Sequence, residues 1–165
     1  MKDIIVTITT DRIMNKQEKA EELFKKGYNC SQSVLGVFCE ESGLDFETAV
    51  KISSSFGGGM GRMREVCGAV SGMFMVAGLA FSEATASPEN KKRQYEIVQE
   101  LAGRFKEKNG SIICRELLQG IEKSDTPTPS ERTAEYYKKR PCTELVKDAV
   151  TILQEYMKEK SNIKQ

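Results

Sequence analysis

Val66-Cys67-Gly68-Ala69-Val70-Ser71-Gly72-Met73-Phe74-Met75-Val76-Ala77-Gly78-Leu79-Ala80-Phe81 is the stretch whose reading decides the fold. It carries no charge and is bracketed by Arg64, Glu65 and Glu83. A bilayer span needs about 20 apolar residues, and this run is shorter. A helix that is apolar all round in a chain of balanced charge is a buried one. Gly68, Ala69, Ser71, Gly72 and Gly78 keep its surface thin, so neighbouring helices can approach closely. The run therefore predicts a buried central helix over about residues 66–84.

Outward from this helix the periodicity stays helical. Residues 15–26 place Ala20, Leu23 and Phe24 on one face and end at Gly27. Residues 30–41 carry Val34, Leu35 and Phe38, with Gly43 beyond. Asp45 caps a segment with Phe46, Ala49, Val50 and Ile52 at helical spacing. The run Phe56-Gly57-Gly58-Gly59-Met60-Gly61-Arg62 suits no regular element and predicts a loop. On the other side, Ser87-Pro88 is an N-cap followed by proline at the first helical position, opening a long surface helix to about Lys108. A short helix follows over about 113–119, then a loop at 124–130. A last helix over about 143–160 turns Leu145, Val146, Ala149, Leu153 and Tyr156 inward. The expectation is an all-α, single-domain bundle of six or seven helices spanning 15–162. Residues 1–14 form an irregular arm in which Ile4, Val6 and Ile8 alternate without a partner strand, and Met14 is a second candidate start.

Composition narrows the chemistry. The chain has 165 residues, with 25 basic and 24 acidic side chains, which removes the strong positive charge of a general nucleic-acid binder. There is no histidine, so neither a Ser-His nor a Cys-His nucleophilic pair can be built within one chain, and no imidazole can bind a metal. No paired-carboxylate or nucleotide-binding motif stands out. The first residues lack the apolar core of a signal peptide, and the expected setting is the reducing cytoplasm.

Five cysteines remain, an odd number. Cys30, Cys67, Cys114 and Cys142 each open a predicted helix and lead its apolar stripe, where the helix dipole and free N–H groups favour the thiolate. The thiolate is the form that attacks disulfides and binds metals. Cys39 falls mid-helix in this reading and is taken as a small core side chain.

The glycine-rich run at 56–62, leading into Cys67-Gly68-Ala69-Val70-Ser71-Gly72, resembles the C_GCAxxG_C_C family, to which redox activity is ascribed. Its pattern is an upstream cysteine, the Cys-Gly-Ala-x-x-Gly motif and two downstream cysteines; Cys30, Cys67, Cys114 and Cys142 take those places in order. The resemblance covers about residues 16–157 and leaves Cys39 and the arm outside. It implies a small bacterial or archaeal protein, often encoded near transporter or oxidoreductase genes, with one of these as partner.

Three functions fit. In thiol–disulfide exchange Cys67 is the candidate nucleophile, with Arg62 and Arg64 near in sequence; no Cys-x-x-Cys pair exists, so Cys30, Cys114 or Cys142 must resolve. The same four cysteines could instead hold zinc or an iron–sulfur cluster, although their gaps of 37, 47 and 28 positions offer no close ligand pair. The third function is a helical interaction module or homodimer, without chemistry. The glycine loop fits neither G-x-G-x-x-G nor G-x-x-x-x-G-K-[ST], and tight packing against Cys67 explains it better than phosphate binding. Tyr136-Tyr137 beside Lys138-Lys139-Arg140 reads as solvated surface rather than a nucleic-acid patch. Met60, Met63, Met73 and Met75 are read as core filler.

Overall fold

The structure is a computed structural model that describes residues 13–163. The arm expected over 1–14 thus lies, apart from Ile13 and Met14, outside the described residues. Among those residues there are nine α-helices and no strand. They are α1 (Lys16–Lys25), α2 (Cys30–Leu35), α3 (Cys39–Ser42), α4 (Phe46–Ser53), α5 (Gly68–Phe81), α6 (Pro88–Asn109), α7 (Cys114–Leu117), α8 (Ala134–Lys139) and α9 (Cys142–Ile163). Among the described residues no helix is long and apolar enough to cross a membrane.

The central helix stands as expected, trimmed to Gly68–Phe81. Gly68, Ala69, Val70, Ser71, Gly72, Met73, Val76 and Ala77 are all buried, and α2, α6 and α9 pack around it. Burying a side chain of the Val or Met class stabilises by about 1.5–3 kcal/mol. The contact with α2 is the closest. A Cβ at Gly72 would lie 2.9 Å from the Ser31 carbonyl oxygen and 2.9 Å from Val34 Cβ, so any larger residue there would force the two helices apart. The long helix α6 buries only Ile97, Leu101 and Phe105. Helix α9 buries Leu145, Val146, Ala149, Val150, Ile152, Leu153 and Tyr156 and contacts α1, α2, α5 and α6.

The helix starts follow local chemistry. At α1 and again at α2, an asparagine cap and the residue three positions on satisfy each other's amides. Asn29 Oδ1 accepts from the Gln32 N–H, and Gln32 Oε1 accepts from the Asn29 N–H, both at 2.9 Å. Arg132 closes the far end of α1, donating to the carbonyls of Phe24 (2.8 Å) and Tyr28 (3.2 Å) with its guanidinium stacked over the Phe24 ring.

Several expectations need correction. The bundle has more helices than six or seven, because the run 30–41 is two helices broken after Leu35 and because α8 forms where a solvated surface was expected. Gly36 sits at the break, where a Cβ would lie 2.7 Å from the Gln32 carbonyl oxygen. Cys39 is consequently the first residue of α3, not a mid-helix side chain. Ile52 is 50% exposed and Met63 59%, so neither fills the core. Val66 precedes the central helix and pairs with Ile113 in an isolated antiparallel bridge.

Candidate functional site

Local geometry puts all four motif cysteines at helix starts: Cys30, Cys114 and Cys142 are first residues of α2, α7 and α9, and Cys67 is the N-cap of α5. The fold then gathers them. Cys30, Cys67, Cys114 and Cys142 all line one cavity of about 390 Å³. Cys39 does not; its thiol donates to the Gly36 carbonyl at 3.3 Å, on another face.

The glycine loop is the device that lets the thiols approach. From Gly58 through Arg62 every residue has positive φ, a turn of left-handed helix with glycine at three of its five positions. Met60 and Arg62 adopt that conformation at about 1–2 kcal/mol each. The turn brings Gly59 against Cys114, where a Cβ would lie 2.6 Å from the cysteine Cβ and 2.8 Å from the Glu65 amide nitrogen. Beyond the turn, a Cβ on Gly68 would lie 3.1 Å from Cys30 Cβ. Backbone bonds fix the other two elements: the Cys67 N–H donates to Ile112 O (2.8 Å), and the Cys114 N–H donates to Glu65 O (2.6 Å).

Arginines supply the charge. Arg62, Arg64, Arg132 and Arg140 line the same cavity, and among the described residues no aspartate or glutamate does. The loop after α7 holds three of them. Arg62 donates to Thr126 O (2.7 Å), Arg64 to Ser124 O (3.0 Å), and Arg140 to Glu122 Oε2 (2.8 Å). Arg140 also lies over the Tyr136 ring at 4.4 Å. Its side chain is only 8% exposed. Of the basic run expected to be solvated surface, Lys138 and Lys139 are exposed, whereas Arg140 turns inward under Tyr136 and Glu122.

The thiols respond differently to this setting. Burial pushes Cys67 up to about 12; the Ala69 and Val70 amides at the helix start pull the other way and lose. The helix start does not by itself lower the thiol of Cys67, a side chain 5% exposed. Arg64 approaches Cys114 instead, Nη1 to Sγ at 3.9 Å, and there too burial prevails and raises the thiol. Cys142 is the exception. Its Cys30 neighbour is the largest influence, and Arg140, Arg132 and Arg64 add to it, lowering the thiol to about 7 against the cost of burial. Cys30 is raised in turn by Cys142 and by its own burial, so of the two thiols Cys142 is the one that favours the thiolate.

A family model described as "Putative redox-active protein (C_GCAxxG_C_C)" matches residues 28–156. The chain belongs to the C_GCAxxG_C_C family. Its four named cysteines are the four that share the cavity. The motif spacing also has a structural reason: Gly68 and Gly72, one turn apart on α5, face Cys30 and Val34, one turn apart on α2. No curated protein and no solved structure matches the chain. Arg132, Tyr136 and Arg140 were not singled out as site residues by sequence reasoning; the signal for Arg140 was its place two residues before Cys142.

Proposed function

We propose that this protein performs thiol–disulfide exchange, with Cys142 as the attacking thiolate and Cys30 as the resolving thiol. The observation that carries this reading is the Cys30–Cys142 pair at one arginine-lined cavity, with the negative charge favoured on Cys142. In the first step the Cys142 sulfur bonds to one sulfur of a substrate disulfide, whose S–S bond breaks and releases a thiolate. In the second, the Cys30 proton passes to that leaving thiolate. The Cys30 sulfur then bonds to Cys142 and expels the second substrate thiolate. The protein dithiol loses two electrons and the substrate disulfide gains them. All five cysteines are free thiols and no two sulfurs are at bonding distance, so the second step includes a side-chain rotation. Cys67 and Cys114 stay protonated beside the pair.

Zinc or an iron–sulfur cluster would require several thiolates to converge on one point. Among the described residues no group of three or more His, Cys, Asp or Glu side chains does so. Exchange is therefore the better-supported reading.

The test is a redox titration of the anaerobically purified protein with differential alkylation and mass spectrometry. A reversible Cys30–Cys142 disulfide is expected between roughly −300 and −180 mV. Absence of any disulfide across that window, or one that forms without Cys142, overturns the proposal.

A further inference from the structure

The four guanidinium groups at the cavity are not equally occupied. Arg140 is taken by Glu122 and Ser130, Arg132 by the carbonyls of Phe24 and Tyr28, and Arg62 by Thr126 O and Ser130 Oγ. Arg64 differs. It is 5% exposed, its Nε donates to Ser124 O, its Nη1 faces Cys114, and its Nη2 is buried with no acceptor. A buried cationic donor left without an acceptor carries the full cost of its desolvation. No carboxylate is among the described lining residues, and Glu122, behind the wall, pairs with Arg140, which leaves the charge of the other arginines facing the thiolate. In a concave, low-dielectric recess such a field attracts a small anion.

We propose that the cavity takes a small carboxylate anion, toward which a small turn of the Arg64 guanidinium brings Nη2 to the acceptor it lacks. Resting on the exchange reading above, the substrate is then a low-molecular-weight disulfide bearing carboxylates, seated with its sulfurs toward Cys142. A cavity of about 390 Å³ suits such a molecule and not a folded protein's disulfide.

The experiment uses the full, reduced chain and three linear disulfides of similar length. Dithiodiglycolate is doubly anionic, bis(hydroxyethyl) disulfide is neutral and cystamine is doubly cationic. Each rate is divided by that disulfide's rate with a simple free thiol, which cancels intrinsic reactivity. Dithiodiglycolate is expected to exceed the neutral disulfide by about tenfold, with cystamine slowest. Arg64→Gln should erase most of that ratio, and the less buried Arg62→Gln should reduce it by a smaller factor in a variant that keeps the Ser124 anchor. A ratio near unity, or one that survives in both variants, overturns the proposal. A second arm needs no redox step. Adipate, the carbon isostere of dithiodiglycolate, should slow iodoacetamide labelling of Cys142, whereas hexamethylenediamine should not. Adipate protection without any accelerated exchange supports the anion site and overturns the exchange reading. Exchange without charge preference or adipate protection does the opposite.

Discussion

Cys39 and Cys142 occupy the same local position, each the first residue of a helix, and yet their thiols are driven in opposite directions. Around Cys39 the influences are burial, Asp45 and Glu41, which raise its pKa, with Lys16 as partial relief. Around Cys142 they are the Cys30 thiol and three arginines, which together outweigh a deeper burial. Helix length adds to the contrast, because α3 has four residues and α9 has 22. A short helix offers little dipole. A helix start thus leaves a thiol raised unless tertiary structure supplies a hydrogen bond and positive charge that together outweigh its burial.

The strongest way to break this contrast is through the glycines beside each cysteine. Gly43 follows α3 with φ of 68° and open space around it, whereas Gly59 has φ of 69° and meets Cys114 and the backbone of Arg64 and Glu65. Gly59→Ala should cost about 3 kcal/mol or more by denaturant unfolding, from the clash and the strained backbone together. Gly43→Ala should cost about 1 kcal/mol, from the backbone alone. Equal losses would mean that the close approach at Cys114 is unimportant.

A smaller effect sharpens the comparison chemically. At pH 7 a thiol titrating near 7 is about half thiolate, whereas a raised thiol is almost wholly protonated; the weaker nucleophilicity of the more acidic thiol leaves a net advantage of about tenfold. Iodoacetamide labelling followed by peptide mass spectrometry should show Cys142 ahead of Cys39 by that factor. Its rate should rise with pH and level off above a midpoint near 7, because only the deprotonated form reacts and Cys142 deprotonates there. The Cys39 rate should keep rising above pH 9, as expected of a raised thiol.

Removing one of the arginines tests the cause. In Arg140→Gln the midpoint of Cys142 labelling should move up by about one pH unit, since a positive neighbour that favoured the thiolate is gone. An unmoved midpoint would assign the effect to Cys30 alone. The smallest change is Cys39→Ser, expected to alter stability by less than about 0.5 kcal/mol and to leave Cys142 labelling as it was.

Much of this was legible in the chain. The central helix, the loop at 56–62 and the four cysteines at helix starts follow from apolar periodicity and punctuation by glycine. Arg132, Tyr136 and Arg140 did not, because their burial depends on Glu122 and Phe24, distant in sequence and brought close only by folding. The burial that raises the Cys67 thiol was not legible for a similar reason. Its helix start is a local property, whereas its desolvation comes from the cavity wall and the packed core around it.

The separation of Cys30 and Cys142, 112 positions apart, has a consequence for the folding of the chain. A bond between them would turn most of the polypeptide into a closed ring, and ring closure of about 100 residues removes unfolded-state entropy worth about 4.7 kcal/mol. Oxidation and folding would then reinforce one another. The oxidised protein would melt at a higher temperature than the reduced one, and loosening the fold would make the dithiol harder to oxidise.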